Sequence, residues 1–131
     1  MSSDIEALDA IWIHIRDIKR ARAFYRDVLG LKEVSASDKG RWAMYRIPRG
    51  PYLGIHRQFP GEPGRKAGTV TGIYLRVKDV EKAVKAIERR GGRITDRPFK
   101  LPWGDTHATV ADPDGNEISL STKTVPRRPW G

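Results

Sequence analysis

One run of residues occurs twice, and it limits the folds open to the chain more than any other feature. Ile11-Trp12-Ile13-His14-Ile15-Arg16-Asp17-Ile18 is matched position by position by Ile73-Tyr74-Leu75-Arg76-Val77-Lys78-Asp79-Val80, and the same offset carries Ala21 onto Ala83 and Gly30 onto Gly92. A repeat of this length makes each copy one supersecondary unit. Each copy opens with strict alternation, Ile11, Ile13 and Ile15 or Ile73, Leu75 and Val77 pointing one way, which is the period of a half-buried strand. Asp17 and Asp79 then stand where a helix needs an N-cap. After them the period lengthens: Ile18, Ala21, Tyr25 and Val28, or Val80, Ala83, Val84 and Ile87, fit one face of a helix. Gly30 and Gly91-Gly92 end these helices where a left-handed cap residue is wanted.

Three strand signals follow each helix, at 31–37, 41–47 and 52–57 in the first copy and at 93–97, 105–111 and 116–121 in the second. Residues 48–51 form a hairpin turn, and Asp112-Pro113-Asp114-Gly115 is a second turn, with Pro preset for the bend and Gly free to take positive φ. The expected fold is therefore α+β, with two pseudo-symmetric βαβββ units (8–57 and 70–122) forming a curved mixed sheet around a cavity. A Pro- and Gly-rich linker spans 58–69 and a tail 123–131. At 131 residues the chain reads as a single domain.

Composition removes several function classes. Cysteine is absent, which excludes disulfides, thiolate nucleophiles, Cys zinc sites and iron–sulfur clusters. Only three histidines remain for metal chemistry. No apolar run approaches the ~18 residues of a membrane span. The opening segment lacks the basic and apolar stretches of a signal peptide, so a cytoplasmic protein is expected. The 25 Lys and Arg against 16 Asp and Glu give a formal charge of +9, a field that favours anionic partners. These basic residues are dispersed rather than blocked together, which argues for a solvated surface over a nucleic-acid face.

If the aliphatic stripe of each strand packs on its helix, function belongs on the alternate positions. These are Ala10, Trp12 and His14 in the first strand, Gly72, Tyr74 and Arg76 in its repeat, Tyr52, Gly54 and His56 in the strand closing the first unit, and Glu117, Ser119 and Ser121 in the last. Trp12 and Tyr74 are repeat-related and are expected either to sandwich a planar group or simply to pack between the units. Arg76 and His14 can meet a carboxylate, phosphate or phenolate.

Paired βαβββ units, Phe24-Tyr25-Arg26-Asp27-Val28-Leu29-Gly30, Pro102-Trp103-Gly104 and Asp112-Pro113-Asp114-Gly115-Asn116 together resemble the vicinal oxygen chelate superfamily over residues 8–122. That group includes glyoxalase I, extradiol dioxygenases, fosfomycin-modifying enzymes and bleomycin resistance proteins. The resemblance implies a homodimer, and it implies His, Gln or Glu metal ligands on the first and last strands of each unit. Here those positions are Ala10, Gly54, Gly72 and Ser119. Ala and Gly have no side-chain donor, and a Ser hydroxyl is a poor substitute for imidazole or carboxylate. The expectation is no metal and no cofactor. His14, His56 and Glu117 are the candidates for a displaced two-His-one-carboxylate site or for metal-free acid–base catalysis. Trp103 is implied as a pocket rim, with anchoring of its own loop as the alternative. His107 is a secondary candidate whose face a bulge would reverse.

The function expected is a metal-free small-molecule binder of the bleomycin resistance type, taking an aromatic or anionic ligand, with antibiotic resistance as its context. The ligand set is Trp12, His14, Tyr52, His56, Tyr74, Arg76, Trp103, His107, Glu117 and Ser119. The alternative is an enzyme of the same superfamily, a lyase, isomerase or dioxygenase.

Overall fold

The computed structural model describes residues 3–58 and 67–122; the tail and most of the linker lie outside them. The chain divides into two compact units, Met1–Arg65 and Lys66–Gly131. In the first, strand β1 (Ala10–Ile15) leads into helix α1 (Ile18–Arg22), a π-helical segment (Ala23–Val28), and strands β2 (Lys32–Ala36), β3 (Trp42–Arg46) and β4 (Tyr52–Arg57). The second repeats the order with β5 (Val70–Arg76), helix α2 (Val80–Arg89), β6 (Arg93–Lys100), β7 (Thr106–Ala111) and β8 (Glu117–Ser121). The architecture is thus α+β, with two four-stranded sheets ordered β1-β4-β3-β2 and β5-β8-β7-β6. In each the opening strand runs parallel to the closing strand and the other pairs are antiparallel. None of the helices is long and apolar enough to cross a membrane among the described residues.

Both helices start where the sequence places their caps. The Asp17 carboxylate accepts from the Lys19 and Arg20 amides at 3.0 and 3.2 Å, and Asp79 accepts from the Lys82 amide at 3.1 Å, satisfying donors that the first turn leaves without partners. The second helix closes with Gly91 at φ 89° and the Gly92 amide on the Ile87 carbonyl at 2.8 Å, a Schellman arrangement.

The first helix departs from the expected regular α period. It widens after Arg22 into a π-helix, with the Leu29 amide on the Phe24 carbonyl at 2.9 Å. The wider turn lets two adjacent rings enter the core together. Phe24 and Tyr25 are both buried and meet edge-on at 5.0 Å within this segment.

Strand alternation divides each sheet into a helix-facing side and an open side. Ile13, Ile15, Ala43, Tyr45, Leu53 and Ile55 form the core of the first unit with Ala21, Phe24 and Tyr25. Ile73, Val80, Val84, Ile87, Ala108, Val110, Ile118 and Leu120 form that of the second. Strand β6 runs past the expected end at residue 97 to Lys100, through two register shifts. It is an edge strand, and an edge accepts Pro98 because no neighbour needs its missing amide. The turn at 112–116 is locked from within. Asp112 accepts from the Asp114 and Asn116 amides at 2.9 Å and from the Asn116 side chain at 2.8 Å, and Asn116 in turn accepts from the Gly68 and Thr69 amides.

One polar knot ties α1 to its sheet. Arg22 donates to both oxygens of Glu33 at 2.9 and 2.7 Å, and the buried Tyr45 hydroxyl donates to the same carboxylate at 3.1 Å. The Arg22 hydrogen bond holds the Glu33 carboxyl below its ordinary range, while burial and then the Glu33 charge push the Tyr45 hydroxyl well above the usual phenol value. Because the folded Glu33 pKa is depressed, its stabilisation is present above the ordinary glutamate pKa and is lost as pH falls through the lowered value. Glu33→Gln is expected to cost about 1–2 kcal/mol at neutral pH. The difference from wild type should shrink in acid, checked by urea denaturation across pH.

Candidate functional site

The open face of the first sheet is assembled by register. Trp12 lies beside Gly54 and His14 beside His56 across β1 and β4, while Met44 pairs with Gly54 and Trp42 with His56 across β3 and β4. Two rows result, Trp12-Gly54-Met44 and His14-His56-Trp42. The imidazoles of His14 and His56 lie 4.2 Å apart between centroids. Trp12 meets His56 edge-on at 5.6 Å and Trp42 at 6.5 Å. His56 Nδ1 lies 3.0 Å from the Arg57 carbonyl, and since a carbonyl only accepts, that nitrogen carries a proton. Trp12, Trp42, Met44 and His56 line a cavity of about 400 Å³.

Gly54 explains why Trp12 lies as it does. A Cβ at Gly54 would collide with Cε3, Cζ3 and Cδ2 of the Trp12 ring, the last at 2.7 Å. The glycine is required by the indole above it rather than by its own backbone, whose φ is not positive. Trp12 itself remains 43% exposed, so one side of the ring packs on the strand and the other is presented outward.

The second sheet builds its own open face. Tyr74 pairs with Ser119 and Val70 with Glu117 across β5 and β8, Thr109 with Ser119 and His107 with Ser121 across β7 and β8, and Phe99 with His107 and Asp96 with Thr109 across β6 and β7. The β7–β8 ladder is unbroken, which puts His107 on the open face and settles the orientation that the sequence left undecided. Tyr74 and Phe99 approach the His107 ring at 5.5 and 6.1 Å. A cavity of about 270 Å³ lies here, with Tyr74, Phe99, His107, Asp96, Glu117 and Ser119 among its walls.

Several expected ligand residues do not join either cavity. Tyr52 is exposed at the start of β4, and Arg76 is exposed at the end of β5. Trp103 donates from Nε1 to Asp105 at 3.3 Å, inside the loop that carries the Leu101 amide to the Asp105 carbonyl. Trp42 and Met44 were not among the sequence candidates. Their signal is the alternation of β3, in which Ala43 and Tyr45 are buried on the helix side and the residues between them must face the other way. Phe99 was missed because the expected strand stops at residue 97, and Asp96 because the register shift between Ile94 and Asp96 reverses the face that strict alternation assigns to it.

The residues at the positions where the resemblance implies metal ligands do not fit a divalent ion. Gly54 lies under an indole and has no room for a ligating side chain. Gly72 sits at φ 76° in a register shift of β5, a conformation in which a side-chain-bearing ligand is strained. Ala10 offers no donor and Ser119 a weak one. Among the described residues no three His, Asp or Glu form a group able to hold a metal ion.

The model of the Glyoxalase/Bleomycin resistance protein/Dioxygenase superfamily matches residues 7–120. A curated lactoylglutathione lyase of Salmonella typhimurium is 27% identical over 82% of this chain and 86% of its own length. The chain spans only 34% of a second curated relative, a probable chloroplastic lactoylglutathione lyase of Arabidopsis thaliana. Among solved structures, a superfamily member from Sphaerobacter thermophilus is similar with a TM-score of 0.78 and 30% identity over 89% of this chain and 97% of that one. TnmS3, an antibiotic binding protein from Streptomyces sp. CB03234, is similar with a TM-score of 0.74 and 27% identity over 91% and 97%.

Gly54→Val should force the Trp12 ring off the strand at a cost of about 1–3 kcal/mol. The checks are the denaturation midpoint and the indole N–H resonance of Trp12, assigned with Trp12→Phe; an unmoved resonance would refute the packing described.

Proposed function

The chain belongs to the Glyoxalase/Bleomycin resistance protein/Dioxygenase superfamily, and within it we propose a metal-free binder that holds a planar, neutral or anionic organic molecule against the open face of its first unit. The observation that carries this reading is the Trp12 indole laid over Gly54. Where a relative's ligating side chain would rise from the strand, this chain presents an aromatic plate. A cavity of about 400 Å³ lined by two indoles, a thioether and one imidazole has the size and the mainly apolar lining of a small-molecule site, with His56 as its polar handle. A planar guest gains from ring contacts about 0.5–1.5 kcal/mol per aromatic pair beyond burial. The formal charge of +9 draws anionic ligands toward the surface. Likeness to an antibiotic binding protein supports an antibiotic or a related aromatic metabolite as the guest. A homodimer in the cytoplasm is part of the same proposal.

A second reading has one observation in its favour. His14 and His56 lie ring to ring beside the first cavity, an arrangement open to metal-free acid–base chemistry, and curated relatives are lactoylglutathione lyases. Assay of lactoylglutathione lyase activity in protein supplemented with zinc or nickel separates the two. We expect no activity above background, and metal-dependent turnover would favour the enzyme.

Calorimetric titration with a panel of planar aromatic antibiotics tests the leading reading. Trp12→Ala should weaken the best ligand at least about tenfold, ~1.4 kcal/mol. Undiminished affinity in that variant would reject the site.

A further inference from the structure

We propose that the outward face of α2 docks on the phosphate backbone of double-stranded nucleic acid, without regard to base sequence. The inference goes beyond the proposal for the first unit and uses none of its residues. Basic residues that are dispersed along the chain are drawn into one line here by the helix. Lys82, Lys85 and Arg89 are exposed and stand three and four residues apart, the spacing that sets side chains one above another on a single face. Val80, Val84 and Ile87 are buried on the other side. Lys78 and Arg90, both exposed, continue the basic run beyond either end of the helix.

Helix stability does not account for this line. Asp79 is the N-cap, so Lys82 takes the third helical position, where the helix dipole favours an acid and a capping box would place Glu or Gln. Lys85 and Arg89 then repeat the same sign at spacings where like charges repel. The fold does not demand the line either. By the offset of the repeat, the equivalent residues of the first unit are Arg20, Ala23 and Asp27, and Asp27 is paired with Arg26 at 3.0 Å. Nearby acids do not cancel the charge. Over residues 78–97 there are seven basic side chains and four acidic ones. Of the four, Glu88 is held by Arg97 at 2.6 Å, Asp79 caps the helix, and Asp96 lines the cavity on the open face of the sheet.

The chemistry of the face selects its partner. A lipid surface takes up a helix through an apolar side, and α2 has turned its apolar residues inward; among the described residues none of the exposed large hydrophobic side chains lies on it. Single strands are held by stacking on aromatic rings, and α2 carries no aromatic residue. It also carries no Asn or Gln, side chains that pair with the edge of adenine. What remains is a row of cations, and its complement is a dense row of anions. From Lys82 to Arg89 the helix rises ~10 Å, over which a duplex presents about six phosphate charges. An acidic peptide, at ~3.3 Å or more per extended residue, offers half that density. Cations laid along a duplex release its condensed counterions, which drives association.

The test is binding of a labelled duplex of about 20 base pairs to the full chain, followed by fluorescence anisotropy across salt. Each phosphate neutralised contributes about −0.9 to the slope of log affinity against log salt. Lys82→Gln, Lys85→Gln and Arg89→Gln combined should therefore flatten the slope by about two to three and weaken binding at least about tenfold at ~100 mM salt. Lys19→Gln, Lys32→Gln and Lys39→Gln combined remove the same charge from exposed positions of the first unit and should change affinity less than about twofold, because distant charges are screened. Relief of repulsion along α2 should let the first variant melt no lower than wild type. In the isotope-labelled wild type, the duplex should shift the amides of α2 and leave those of β1 and β4 in place. Absence of duplex binding, equal weakening by the two triple variants, shifts centred outside α2, or tighter binding to polyglutamate or to phosphatidylserine vesicles than to the duplex would overturn the proposal. Failure of the aromatic-ligand titration in the first unit leaves these outcomes untouched, so the two readings fail separately.

Discussion

Each four-stranded sheet has two faces and a single helical segment to cover them, so its own apolar residues can close only one. Period-two alternation then assigns every other residue of every strand to the uncovered side. In the first unit the covered side is Ile13, Ile15, Ala43, Tyr45, Leu53 and Ile55, all buried. What stands between them is free of the demands of the core and is set instead by what the open face must hold. The arrangement of both cavities follows from this division, as does the presence of an exposed Trp or Tyr at the middle of each opening strand.

Duplication adds a second consequence. Two copies of one unit begin with equivalent positions on their open faces, and each is able to change without disturbing the helix-side core. The first copy has become an indole, thioether and imidazole surface, with a glycine cut away to seat one ring. The second keeps an aromatic at the equivalent position but surrounds it with carboxylates, hydroxyls and an imidazole. Ala10, Gly54 and Gly72, where the resemblance implies metal ligands, carry no side-chain donor, and Gly54 and Gly72 serve packing and backbone needs that a ligand residue would break. The superfamily's frame is present over residues 7–120.

The legible parts of the molecule were those governed by short-range rules. Capping by Asp17 and Asp79, the glycine stop after α2, the locked turn at 112–116 and the sidedness of β1, β4, β5 and β8 all rest on interactions within a few residues or on strict alternation. The π-helical widening was hidden, because adjacent buried rings at Phe24 and Tyr25 are compatible with either helix until their packing partner is known. Strand β6 was cut short at Pro98, whose acceptability depends on lying at a sheet edge. That in turn hid Phe99, while Asp96 was hidden by the register shift after Ile94. Trp42 and Met44 were within reach of the alternation rule applied to β3. Trp103, which the family resemblance placed at a pocket rim, is held within its own loop by Asp105.

The amino-acid sequence alone determined the repeated βαβββ plan, the side of each strand that meets a helix, and the lack of donors at the metal positions, because periodicity and residue chemistry are properties of the chain taken locally. Only the tertiary structure decided which open-face side chains become neighbours. Strand register sets that, placing His14 against His56, Trp12 over Gly54, and Asp96 with Glu117 around one set of rings, and register depends on pairings between segments far apart in the chain.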